Sequence, residues 1–259
     1  MNSASRLFRR CSKGLKVLGN RRYRKALYHH VAPTIEHQRV LSRYKPLTVV
    51  DVGANKGQFS LLAAEIFPAA RIYSFEPLRG PGDEFRRLFD SEERVRFFPA
   101  AIGPVANSMP MHVARREDSS SLLPITAQQV SFSPGTDEVS TELVEVAPLK
   151  AFLSAEDIRR PALLKVDVQG FEREVLEGCE PFLELFDVLY VECSFLELYA
   201  GQALATEIVE MLLARKFELR GTYNLSYSPE GIAIQADFLF ERGAGSLSCG
   251  PSPVAHRKE

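Results

Sequence analysis

The sequence predicts an α/β domain built on a mostly parallel sheet, and three observations lead there. The chain has 259 residues, enough for one large α/β domain with extensions. From Leu47 onward, short apolar runs alternate with helix-period segments. Between residues 103 and 150 that alternation breaks into strand-like runs separated by turn formers, which predicts an inserted hairpin or flap. The expected organisation is a basic helical extension over 1–45, one domain over 46–243 and a loose tail over 244–259.

The elements follow in order. Residues 47–52 form an apolar run with the character of a buried strand. Residues 58–67 read as a helix, with Phe59, Leu62, Ala63 and Ile66 on one face and Pro68 as its stop. Residues 71–75 are the second strand, 84–89 a short helix and 95–99 the third strand. In the flap, 109–113 and 139–146 read as strands around "DSSSLLP" and "SFSPGTD". The alternation resumes with a strand at 162–168, a helix at 172–176, a strand at 188–193, a helix at 203–214, and strands at 217–219 and 234–240. Parallel neighbours joined by right-handed crossovers accommodate this order.

Charge and cysteine usage narrow the function classes. Net charge is −1, so no nucleic-acid partner is expected of the protein as a whole. Residues 1–35, before Glu36, contain no acid and carry Arg6, Arg9, Arg10, Lys13, Lys16, Arg21, Arg22, Arg24 and Lys25. A basic amphipathic helix there would lean on the domain or contact an anionic membrane surface. Cys11, Cys179, Cys193 and Cys249 show neither zinc-site nor disulfide spacing and read as reduced thiols. The expected location is cytoplasmic, with peripheral membrane contact open and the oligomeric state undetermined.

The stretch "VVDVGANKGQFSLLAAEIFPAARIYSFEP" carries the first chemical signal. A strand, a glycine turn and a helix form a nucleotide-type site at the carboxyl end of a parallel strand. The spacing lacks the G-x-x-x-x-G-K-[ST] of a phosphate loop. Asn55 and Gln58 stand where a dinucleotide fingerprint needs glycines, which weakens an NAD-dependent oxidoreductase reading. S-adenosylmethionine fits better, because it has no phosphate and carries two cationic groups. Asp51 would meet its ammonium directly or through water, Gly53 and Gly57 would let the backbone turn beneath it, and Asn55 tolerates left-handed backbone angles. Glu76, at the next strand end, would accept both ribose hydroxyls.

The motifs "DVGANKGQFS", "YSFEP", "AAIG", "SSSLLP" and "LLKVDVQGFEREVLEG" occur in that order over roughly residues 45–241. Together they resemble the FkbM family of S-adenosylmethionine-dependent methyltransferases. The resemblance implies a Rossmann-like class I methyltransferase fold with seven strands, one of them antiparallel near the end. It also implies O-methylation of a carbohydrate-like or natural-product hydroxyl, and adds Pro77 and Ala101 to the cofactor lining. "APLK" departs from the family pattern, with Lys150 where similar proteins often carry Asp.

A second constellation, "KVDVQGFEREVLEG", puts Asp167 and Gln169 at a strand end and Glu172 and Glu174 in the next helical turn. Methyl transfer needs alignment of acceptor, methyl and sulfur, and a hydroxyl acceptor gains from a base. Asp167 is the first candidate base, also placed near the cofactor; Glu192 and His112 follow. Ser119, Ser120 and Ser121 could bond acceptor or cofactor. No spacing requires a metal, although Asp167, Glu192 and Asp237 could converge. A non-catalytic binding module remains the other alternative.

Overall fold

The computed structural model describes residues 17–243. The predicted membrane-directed cations from Arg6 to Lys16, Cys11 and Cys249, and the tail over 244–259 lie outside the described residues. Within them, no helix is long and apolar enough to cross a membrane.

Seven strands form the main sheet: β1 (Thr48–Val52), β2 (Arg71–Phe75), β3 (Val95–Phe98), β7 (Ala162–Val166), β8 (Val188–Ser194), β9 (Phe217–Tyr223) and β10 (Gln235–Arg242), in the order β3-β2-β1-β7-β8-β10-β9. β10 runs antiparallel to β8 and β9, and the other pairings are parallel. The strand order reverses direction between β1 and β7, the switch point at which open α/β sheets take ligands.

The flap is larger than the expected hairpin. β4 (Ala101–Ile102), β5 (Asn107–Ala114) and β6 (Glu138–Ala147) make a separate three-stranded sheet, with β5 antiparallel and β4 parallel to β6. A helix at Ala127–Phe132 lies between β5 and β6, its first turn capped by the Thr126 hydroxyl accepting from the Gln129 N–H.

Two element ends differ most from expectation. The helix expected at 84–89 spans Arg79–Phe89. Pro81 sits in its first turn, where no backbone N–H needs an intrahelical partner, and Gly82 lies so close to Phe97 that a Cβ would come within 2.9 Å of the ring. β9 continues to Tyr223 because β10 pairs with its polar outer half as well as its apolar start.

The two faces of the sheet pack differently. Val50, Val52, Tyr73, Phe75, Leu164, Val166, Leu189, Val191, Phe238 and Phe240 point to one apolar core, shared with the helices Glu172–Gly178 and Ala205–Ala214 and with the flap. Val49, Ile72, Leu163, Val188 and Leu239 point to the other, beneath the helix Gln58–Ile66 and the N-terminal segment. That segment docks firmly. The Asn20 side chain caps the helix Arg21–Tyr28 and donates to Glu65 at 2.6 Å, Arg22 pairs with Glu92 at 2.7 Å, and Tyr23 and Ala26 are buried.

Candidate active site

Strand register builds the site. Ser74 lies beside Asp51, Asp51 beside Lys165, and Lys165 beside Tyr190; one pleat further, Glu192 faces Asp237. Side chains alternate along a strand, so Glu76, Asp167 and Gln235 fall on this same face. The face is therefore apolar along most of its length and polar at the carboxyl ends of its parallel strands. A cleft of about 440 Å³ opens there, within the size range of small-molecule sites.

Gly53, Asn55, Glu76, Pro77, Ala101 and Asp167 line the cleft, together with Ser119 and Ser120 of the flap. Gly53 and Asn55 hold left-handed angles, φ +79° and +46°. A Cβ on Gly53 would sit 1.8 Å from the Asp167 carbonyl oxygen, so only glycine lets these two strand ends meet. The Asn55 N–H donates to Glu76 Oε2 at 3.0 Å and the Leu78 N–H to Glu76 Oε1 at 2.8 Å. Each carboxylate oxygen keeps further acceptor capacity toward the cleft. Burial pushes the Glu76 carboxyl up to about 7, against the opposing pull of those two N–H groups and of Lys165.

The structure places other expected site residues elsewhere. Asp51 is fully buried, accepts from the Ser60 hydroxyl at 2.6 Å, and pairs with Lys165 Nζ at 3.2 Å. Its Oδ1 has that ion pair and no hydrogen-bond partner, and Asp51 lies outside the cleft lining, which leaves the water-mediated form of the expected ammonium contact. Gly57 (φ +94°) starts the helix Gln58–Ile66, and its bare Cα packs on Phe85 and Phe89, not on the cleft. His112 lies on the flap sheet outside the cleft lining, bonded through Nδ1 to Glu138 at 2.8 Å. Ser121 is also outside it, its hydroxyl accepting from the Leu123 N–H. Glu172 is buried and accepts from the Val168 and Gly170 N–H groups, which shapes the Asp167–Gly170 loop.

Lys165 and Gln169 organise the acids. Burial opposes the Lys165 charge, but Asp51 and then Asp167 outweigh it and hold the ammonium above its ordinary range. Lys165 Nζ donates to the Gly53 carbonyl at 3.0 Å and stands 3.6 Å from Asp167 Oδ2. Gln169, itself at φ +58°, donates to Asp167 Oδ1 at 2.8 Å and to Glu192 Oε2 at 2.9 Å. Its own oxygen lies 2.9 Å from the Tyr199 hydroxyl, which also reaches the Ser119 carbonyl at 3.0 Å. The Glu192 carboxyl, closed in by Gln169 and by Gln235 at 2.8 Å, is absent from the cleft lining. Burial, then Asp167, Asp237 and Glu172, push it well above its ordinary value.

Some of these groups had a sequence signal and some had none. Lys165 interrupts the apolar run "ALLKV", a position that demands a buried partner. Gln235 and Tyr199 stand outside any glycine turn or strand-end acid motif. His37 lines the cleft from the N-terminal segment, before the first motif begins.

The model of the methyltransferase FkbM domain matches residues 51–219. The chain belongs to the FkbM methyltransferase family. It is 26% identical over 184 residues to the 2-O-methyltransferase NoeI of Sinorhizobium fredii, which covers 68% of this chain and 76% of that protein. It is 27% identical over 164 residues to Methyltransferase 1 of Beauveria bassiana, covering 56% of this chain and 63% of the relative. It is 28% identical over 151 residues to the hexuronic acid methyltransferase AglP of Haloferax volcanii, covering 55% of this chain and 54% of the relative. The protein is thus an S-adenosylmethionine-dependent methyltransferase on a Rossmann-like fold, not an NAD-dependent oxidoreductase.

The residues present fit that cofactor. Glu76 offers acceptors for two neighbouring hydroxyls. Asp51, Asp167 and Asp237, with Glu76 when ionised, stand against one lysine among the described residues of this polar row, a field that favours a cationic ligand.

Proposed function

We propose that this methyltransferase transfers its methyl group to a hydroxyl of a carbohydrate-like acceptor. The observation that carries the reading is the set of hydroxyl and amide side chains in the cleft: Ser119, Ser120, Gln129, Ser133, Ser226 and Gln235 line it, beside the charged run of Arg116, Glu117 and Asp118. Hydroxyls and amides both donate and accept, which suits a polyol. Two relatives named for 2-O-methylation and for hexuronic acid methylation support the same class.

S-adenosylmethionine supplies an electrophilic methyl on a sulfonium. In this reading Glu76 binds the ribose hydroxyls, and the Gly53–Asn55 turn with Pro77 and Ala101 shapes the cofactor bed. Asp167 is the group most exposed to the positive end of the cofactor, its side chain 37% open. Lys165 and Gln169 fix its carboxylate. We assign it to cofactor binding and alignment ahead of proton removal, because it stands against the Gly53 turn that shapes the cofactor bed. Glu192 supports Gln169 from behind.

Radiolabelled S-adenosylmethionine offered with a panel of methyl glycosides and methyl glycuronides tests the proposal. The expected product is a labelled ether that survives mild alkali. Label found only in base-labile esters would move the acceptor from hydroxyl to carboxyl and overturn it.

A further inference from the structure

We infer that His37, outside the matched family domain, is the general base that takes the acceptor's proton. This rests on the hydroxyl-acceptor reading above.

The ring is held as a base would be. Its Nδ1 lies 3.0 Å from the Tyr190 hydroxyl oxygen and 3.3 Å from Asp237 Oδ2. The Tyr190 hydroxyl donates to Asp237 at 3.1 Å, so its oxygen is free to accept from an Nδ1–H. The Asn224 amide donates to the same Asp237 oxygen at 2.7 Å and to the Tyr190 oxygen at 3.4 Å; these bonds occupy both its hydrogens, so Nδ1, 3.0 Å away, need not accept from it. Asp237 and Tyr190 are therefore the titratable groups facing Nδ1, from β10 and β8. Burial, then Asp237, hold the Tyr190 hydroxyl above its ordinary range, so it stays protonated. Edge contacts with Phe59 and Tyr190, centroids 5.9 and 5.4 Å away, fix the ring plane.

The other nitrogen is the useful one. Nε2 has no hydrogen-bond partner among the described residues, and the residue lines the cleft with its side chain 14% exposed. An Asp237 carboxylate beside Nδ1 favours the tautomer with the proton on that nitrogen and leaves the Nε2 lone pair available. Position agrees as well. The cofactor residues lie at β1, β2 and β7, on the switch point, whereas His37 stands over β8 and β10, where an acceptor would approach.

The step balances. The acceptor oxygen forms its bond to the methyl carbon while the methyl–sulfur bond breaks and sulfur keeps the electron pair. The hydroxyl proton passes to Nε2, and the imidazolium later releases it to water.

The tautomer can be read without turnover. Full-length protein labelled with ¹⁵N-histidine and bound to S-adenosylhomocysteine is examined by long-range ¹H–¹⁵N correlation, with His37 assigned through His37→Gln or, if that variant does not fold, His37→Asn. The expected result is a neutral ring protonated at Nδ1, shifting toward Nε2–H in Asp237→Asn. A wild-type ring protonated at Nε2 overturns the inference. In methyl transfer to the glycoside panel, His37→Gln should lower kcat about 10²–10⁴-fold. S-adenosylhomocysteine affinity should hold, and the acidic limb of the kcat–pH profile should disappear. Unchanged kcat and profile also overturn it. If wild-type protein forms only esters, the hydroxyl reading fails, while the tautomer still decides whether His37 is poised as a base.

Discussion

The two faces of the main sheet come from the same strands and are packed for different ends. One is apolar across its central strands, its side chains closed between the sheet, two helices and the flap. The other begins with Val49, Ile72, Leu163, Val188 and Leu239, then turns polar through Asp51, Lys165, Tyr190 and Asp237 as it reaches the cleft. The first face carries stability. The second gives up apolar burial near the strand ends and replaces it with paired charges and hydrogen bonds, each of which must be satisfied by a neighbour. Function is concentrated where that replacement occurs.

The sharpest way to break the contrast is Lys165→Met. It leaves Asp51 buried without its cation, and removing one partner of a buried pair costs about 3–5 kcal/mol. Chemical denaturation should show that loss. Adding Asp51→Asn should recover much of it, since no charge is then left unpaired; a double variant as unstable as the single one would count against the pairing.

Leu164→Ala probes the apolar face. Leu164 is fully buried, and such truncations cost about 2–5 kcal/mol. The expected signature is lower stability with S-adenosylhomocysteine affinity intact in the folded fraction. A matching loss of affinity would mean the faces are less independent than their packing shows.

Glu76→Ala should do the reverse. The fold should hold, while cofactor binding weakens by about 1.5–3 kcal/mol, the range for hydrogen bonds to a charged group. Calorimetry with S-adenosylhomocysteine measures it, and equal affinity in a folded variant would remove Glu76 from the ribose site.

The smallest effect concerns pH. Folding raises the Glu76 carboxyl from its ordinary range to about 7. A raised acid favours the folded state fully at low pH, and that contribution is lost as pH rises from about 4.5 through about 7. Glu76→Gln should therefore melt with a flatter stability–pH slope across that window than wild type. Ribose hydroxyls donate to the ionised form, so wild-type cofactor affinity should rise with pH through about 7 and the variant's should not. Parallel slopes in both measurements would show that the Glu76 proton is not coupled to folding or binding.

Much of this was legible before any coordinates. The alternation of strand and helix, the glycine turn at Gly53 and the strand-end acids Glu76 and Asp167 are local patterns, because side-chain period, left-handed turns and strand ends are set by neighbours in sequence. The longer helix from Arg79 was missed because Gly80, Pro81 and Gly82 read as a turn, although proline is permitted in a first helical turn. Asp51 and Gly57 belong to the same turn, yet both lie outside the cleft lining. Whether a turn residue faces ligand or core depends on what packs against it, here Lys165 for Asp51 and Phe85 and Phe89 for Gly57.

The sequence by itself determined the class of fold, the family and the cofactor side of the cleft, since each is carried by short contiguous motifs. Only the tertiary structure decided which acids are spent on internal pairs, that Glu192 is enclosed behind Gln169, and that His112 lies on the flap sheet outside the cleft lining. It alone brought His37 to Tyr190 and Asp237, across 153 residues of chain to the tyrosine. The physical reason is that charge state and access are properties of surroundings. Register across β1, β7, β8 and β10 assembles those surroundings from segments that share no local pattern.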